Sequence, residues 1–131
     1  RITLFPYTTL FRSVSVSVGL LAANVLVVNN YRDMEDDAAV GKRTTVVIFG
    51  RRVMAVAYLL SGVVAMALMY NVWRMLPLCS LSAPAMYLVL HFATWRLLVH
   101  AKGAALNPLL GRTAVNLLLF ALFFLLTALL V

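Results

Sequence analysis

Three stretches of this chain, 53–70, 75–95 and 113–131, contain no Asp, Glu, Lys or Arg. Each is about as long as the ~20 residues a helix needs to cross a hydrocarbon layer. A fourth, 14–31, is as short as the first of these and more polar. Backbone groups in lipid must be satisfied within their own segment, and a few isolated strands cannot close a barrel, so all four are predicted to be helices. The early Val/Ser alternation of 14–18 suggests a strand, but that run leads directly into a polar cluster with helical spacing and is assigned as helix. The expected fold is an all-α multi-span bundle with helices at about 14–37, 52–71, 75–98 and 112–131. A 64% hydrophobic, 11% charged composition and a mean hydropathy of +0.99 agree with it and exclude an ordinary soluble domain.

The net charge of +7 does not point to nucleic acid, because of where the cations sit. Arg32, Lys42, Arg43, Arg51 and Arg52 lie in the first connection and Arg96, Lys102 and Arg112 in the third, whereas the second has only Arg74. That alternation follows the positive-inside rule. It predicts a multi-pass protein of the cell's inner (plasma) membrane, with the first connection facing the cytoplasm. Cys79 is the single cysteine, so an internal disulfide is excluded. Residues 1–13 stand outside the pattern. "TLFPYTTLFRS" resembles the in-frame translation of a short-read sequencing adapter, and these residues are expected to be a non-native leader to residues 14–131.

All four acidic residues fall between Asp33 and Asp37, within "NNYRDMEDDAAVGKRT". Continuing the first helix through this run places Asn29, Asn30, Asp33, Asp36 and Asp37 on one side and Glu35 opposite. Asp33 and Asp37, at i and i+4, direct two carboxylates toward one ion, and Asp36 widens the site. Carboxylates without His or Cys ligands favour Mg²⁺, which commonly bridges to a substrate phosphate. Arg32, Lys42 and Arg43 are candidate ligands of the phosphate oxygens. A metal–diphosphate site at the inner edge of a helical bundle suits ionisation of an allylic diphosphate. Two readings compete with it: a solvated loop whose acids offset its bases, and a small transporter or assembly subunit using the acids as a cation path. The latter predicts acids within a span, and here they sit at its edge.

Elsewhere, His91 and His100 are assigned as a packing and an interfacial residue, and Tyr70, Trp73 and Trp95 as headgroup-level anchors. Arg51 and Arg52 are assigned as topology determinants. Thr113 and Asn116 remain open between lining a cavity and bonding helix to helix. Gly41 is the expected stop after the acidic turn.

The run "NNYRDMEDDAAVGKRTTVVIFGRR" resembles the second aspartate-rich motif of the UbiA-type intramembrane prenyltransferases, N-N-x-R-D-x-x-x-D followed by G-K-x-T. It is most similar to the branch that prenylates 1,4-dihydroxy-2-naphthoate in menaquinone synthesis, and "LNPLLGRTAVNLLLFALFF" resembles that branch's C-terminal end. The resemblance implies a nine-helix enzyme whose last four helices are present here. It implies Mg²⁺ on Asp33 and Asp37, cavity-lining Asn29 and Asn30, and diphosphate contacts from Arg32, Lys42 and Arg43. The implied reaction transfers a polyprenyl chain from polyprenyl diphosphate to 1,4-dihydroxy-2-naphthoate, with decarboxylation, giving demethylmenaquinone. 4-Hydroxybenzoate or haem are the alternative acceptors. The family's first motif, N-D-x-x-D-x-x-x-D, does not occur in this sequence, so this chain alone is expected to be inactive.

Overall fold

The computed structural model describes residues 5–73 and 82–129, and these are almost entirely helical, with no strand among them. In chain order they form α1 (Phe5–Arg32), α2 (Met34–Ala39), α3 (Thr45–Leu68), α4 (Tyr70–Trp73), α5 (Ser82–His100), a 3₁₀ turn (Gly103–Leu106) and α6 (Asn107–Leu129). The long helices run up and down. Ser17 and Asn24 of α1 meet Ala65 and Ser61 of α3, Trp95 meets Ala55, and Thr94 meets Asn116 of α6. Each pairing reverses the chain direction.

Two apolar clusters fill the interior. One, at the α3 C-terminal end, gathers Leu21, Met66, Met69, Trp73, Tyr87 and Phe120. The other joins Val28, Tyr31, Val46, Tyr58, Leu98 and Leu106, so the end of α1, the start of α3, the end of α5 and the start of α6 share one end of the bundle. Large apolar side chains such as Leu26, Val53, Val89 and Leu118 are more than half exposed on the outside. A soluble protein rarely leaves so much apolar surface uncovered, and a lipid-facing bundle must.

Among the described residues, three helical segments are long and apolar enough to cross a membrane: Thr8–Arg32, Thr45–Leu68 and Gly103–Leu126. The expected third span, 75–95, is described only in part: its helix is seen over Ser82–His100, where Pro84, His91, Thr94 and Arg96 dilute the apolar character. Residues 74–81, including Pro77, Cys79 and Ser80, lie outside the described residues. The first helix is already formed at Phe5, ahead of the expected start near residue 14. It also stops earlier, at Arg32, and the acidic run forms the separate α2.

Gly50 sits inside α3 with φ 81° and ψ 160°, a backbone region essentially reserved for glycine. It splits off the first turn, Thr45–Phe49, whose Thr44 cap accepts from Val47 N–H at 3.4 Å. The remainder of α3 therefore begins at Arg51, beside the acidic turn.

Candidate functional site

Asp33 ends α1 and opens α2 with φ −90° and ψ 8°. The backbone ladder nevertheless crosses this break: Asp33 N–H donates to Asn29 C=O at 3.0 Å and Asp37 N–H to Asp33 C=O at 2.8 Å. Asp33 and Asp37 thus stay one turn apart, as their spacing predicts. Asp36 is exposed, whereas Asn30 and Asp37 are buried and Asn29 and Asp33 half-buried.

Each carboxylate has its own cation. Arg32 closes a fork on Asp33, donating from Nε to Oδ1 at 2.6 Å and from Nη2 to Oδ2 at 2.9 Å. The same Nη2 donates to Asn29 Oδ1 at 3.1 Å. This hydrogen-bonded fork, reinforced by the charges of Arg32 and Lys42, holds the Asp33 carboxyl below the usual carboxylate range. Lys42 Nζ donates to Asp37 Oδ1 at 2.9 Å, and Lys42 reaches it because its own N–H returns to Asp37 C=O through the turn at Gly41. Asp37 Oδ2 is buried and, among the described residues, has no partner. Arg43 is exposed and, among the described residues, forms no ion pair.

Arg51 adds a contact that its assignment as a topology determinant did not include. Its Nη1 donates to Glu35 Oε1 at 3.0 Å and Nη2 to Tyr31 C=O at 3.4 Å, while its guanidinium lies 5.4 Å from the Tyr31 ring centre. Its Nε is buried and, among the described residues, without a partner. The only sequence signal was the preceding Gly50, whose backbone turn aims the helix start toward α2.

The other singled-out residues belong to the interior. His91 is sandwiched between Tyr58, stacked at 4.6 Å, and Tyr87, at 5.5 Å. Its Nε2 lies 3.0 Å from Tyr58 C=O and 3.3 Å from Leu59 C=O, and carbonyls only accept, so Nε2 carries the proton and Nδ1 accepts from Tyr87 O–H at 3.3 Å. Asn116 donates to Thr94 Oγ1 at 2.8 Å and to Leu90 C=O at 3.4 Å, and Thr113 lies 3.2 Å from the Tyr58 hydroxyl. These bonds tie α3, α5 and α6 together, and none involves the acidic turn. His100 donates from Nδ1 to Arg96 C=O at the end of α5.

Among the described residues no three His, Cys, Asp or Glu side chains gather into a metal cluster. The turn nonetheless fits Mg²⁺, which is bound through one or two carboxylates and completes its shell with water and substrate phosphate. Asp37 Oδ2 is an open, buried carboxylate oxygen, and Asp33 stands one turn away.

No curated protein and no solved structure matches the sequence. The sequence model of the UbiA prenyltransferase family matches residues 3–115, which takes in α1 through the first part of α6 and the whole acidic turn. Its members are membrane prenyltransferases and are generally metal-dependent. With most of its length matched, and with apolar helices of spanning length flanking a turn of paired carboxylates and cations, this multi-pass membrane chain belongs to the UbiA prenyltransferase family.

Proposed function

We propose that this chain carries the second carboxylate half of a prenyl diphosphate site in an enzyme that prenylates 1,4-dihydroxy-2-naphthoate. The observation that carries the proposal is the buried, partnerless Asp37 Oδ2, one turn from Asp33, with Arg32 and Lys42 already held on those two carboxylates. Asp33 and Asp37 would hold the metal, with Asp36 at its solvent side. Bound there, Mg²⁺ would supply charge neutralisation for the leaving diphosphate. Arg32 and Lys42 have donors suited to phosphate oxygens and exchange their carboxylate partners for them, and Arg43 joins from the exposed side. Asn29 steadies Arg32.

In the reaction, the prenyl C–O bond breaks and the diphosphate departs with the electron pair. The ring carbon bearing the carboxylate forms the new C–C bond, and that carboxylate leaves as CO₂. The motif N-N-Y-R-D with G-K-R-T supports the naphthoate acceptor over 4-hydroxybenzoate or haem. All four acids of the sequence lie between 33 and 37, so the chain supplies only one carboxylate cluster and is inactive alone. Its location is the inner membrane, with the acidic turn on the cytoplasmic side.

Binding tests the site directly. Mg²⁺ alone must compete with Arg32 and Lys42 for the carboxylates, whereas a diphosphate draws those cations away. Mg²⁺ and diphosphate are therefore expected to bind cooperatively, each raising the other's affinity by the same factor. Calorimetry on the purified chain should show this coupling, and Asp37→Asn should abolish it. Independent binding of the two, or coupling retained in Asp37→Asn, overturns the site. The acceptor is tested by grafting residues 14–131 onto the first helices of an active naphthoate-prenylating relative. Turnover of 4-hydroxybenzoate but not naphthoate would sink that part.

A further inference from the structure

At the same end of the bundle as the acidic turn, α5 and α6 border a second feature that the carboxylate site does not use. An open groove of about 480 Å³ is lined by Ala93, Arg96, Leu97, His100 and Arg112. A second, of about 390 Å³, shares Leu97, His100 and Arg112 and is otherwise lined by Ala101, Ala105, Pro108 and Leu109. The first is headed by cationic side chains and the second is almost wholly apolar. Arg96 and His100 are at i and i+4 on α5, and Arg112 reaches the same space from α6. His100 commits Nδ1 to Arg96 C=O, which leaves Nε2 for another partner.

Of the four acidic residues in the sequence, Asp33, Asp37 and Glu35 are engaged by Arg32, Lys42 and Arg51, and Asp36 forms no ion pair with these cations among the described residues. Among the described residues, Arg96 and Arg112 form no ion pair. Leu98, Leu106 and Leu109 share a core with Val28 and Tyr31, so this basic pocket sits at the level where α1 leaves the membrane. Basic pockets between membrane helices on the cytoplasmic side bind anionic lipid headgroups.

We propose that the α5–α6 pocket binds one anionic phospholipid, with its phosphodiester held by Arg96, Arg112 and His100 and an acyl chain in the adjoining apolar compartment. A free phosphate would leave that compartment unfilled. A prenyl diphosphate carries more charge and a divalent cation, and no carboxylate stands here to hold one. The single negative charge of a phosphodiester is matched by two arginines without a metal. The proposal does not depend on the prenyl-transfer reading.

The test is lipid retention by the purified full chain, measured by native mass spectrometry after exchange into detergent containing phosphatidylglycerol or phosphatidylcholine. One phosphatidylglycerol is expected to be retained at least tenfold better than phosphatidylcholine, from about fivefold per arginine. Arg96→Gln/Arg112→Gln should reduce it to the phosphatidylcholine level, and Arg52→Gln, an exposed cation elsewhere, should not. Ala105→Trp fills the apolar compartment without touching charge and should also abolish retention, which keeps the test decisive where the double glutamine variant fails to fold. Equal retention of the two lipids, a preference that survives both Arg96→Gln/Arg112→Gln and Ala105→Trp, or equal loss in Arg52→Gln overturns the proposal. So does displacement of the lipid by inorganic phosphate, which assigns a simple phosphate site, or by geranyl diphosphate, which assigns a substrate site.

Discussion

Gly62→Ala is expected to destabilise the bundle, although a helix ordinarily gains from that substitution. Gly62 lies where α3 passes closest to α5. A Cβ there would stand closer than 3.0 Å to three atoms of the His91 ring, Nε2, Cδ2 and Cε1. The ring cannot slide aside freely, because it is stacked between Tyr58 and Tyr87 and its Nε2 points at the Tyr58 and Leu59 carbonyls. Overpacking of this kind costs about 1–3 kcal/mol. Displacing the ring also weakens a buried interhelical hydrogen bond, about 0.6–1.7 kcal/mol in membrane bundles. The helix-propensity gain from Gly to Ala returns about 1 kcal/mol. The net expectation is a loss of roughly 1–4 kcal/mol, from the difference of these terms. Unfolding in mixed micelles, followed by circular dichroism, measures it. A double-mutant cycle isolates the cause: once His91→Ala removes the ring, Gly62→Ala should become neutral or stabilising. An equal cost in both backgrounds, or a Gly62→Ala chain more stable than the parent, would refute the packing argument. His91→Ala should leave Mg²⁺–diphosphate binding intact, since its bonds all stay within α3 and α5.

Gly50→Ala should cost about 1–3 kcal/mol by the same unfolding assay, because φ 81° with ψ 160° is a glycine-only conformation. It should also loosen Arg51 from Glu35 and Tyr31, seen as loss of protection at α2 in hydrogen exchange. Asp33, whose carboxyl is held down by Arg32, contributes stability at pH values above the unfolded carboxylate value of ~3.9 and loses it as pH falls through its lower folded value. Carbon-13 carboxyl titration without divalent ions should place it below ~3.9, and Arg32→Gln should move it up toward that value. A midpoint unmoved by Arg32→Gln contradicts the fork. Asn116→Ala and Thr94→Ala should be coupled by about 0.6–1.7 kcal/mol in a double-mutant cycle, and simple additivity would mean that the Asn116–Thr94 bond contributes nothing.

The parts of this structure written in local chemistry were legible from the sequence. Charge-free runs announced the long helices, i and i+4 spacing paired Asp33 with Asp37, and Gly41 turned the chain where the acidic helix ends. What escaped depended on breaks in regularity or on tertiary contact. Helical geometry does not bring neighbours i and i+1 face to face, so the Arg32–Asp33 fork required the irregular backbone at Asp33. Arg51 looked like one of two equivalent headgroup cations. Only the fold distinguishes it from Arg52, because the kink at Gly50 brings it to Glu35 and Tyr31. Asn116 was open to two readings, and its amide is used in the contact between α6 and α5.

The distribution of unsatisfied groups separates site from scaffold in this fold. Polar side chains buried among membrane helices are costly unless bonded. His91, Thr94, Thr113, Asn116 and Ser17 all find partners across helix interfaces, and so act as glue. Among the described residues, four buried side-chain atoms have no partner: Asn24 Nδ2, Trp73 Nε1, Asp37 Oδ2 and Arg51 Nε. The first two are neutral donors on α1 and α4. The last two are charged groups, and both belong to the acidic turn or the arginine that braces it. A charged atom left bare costs more than a neutral one. The fold therefore keeps its most expensive unmet bonds at the acidic turn, where the proposed metal and phosphate would meet them, and leaves only the neutral donors of Asn24 and Trp73 unpartnered elsewhere among the described residues.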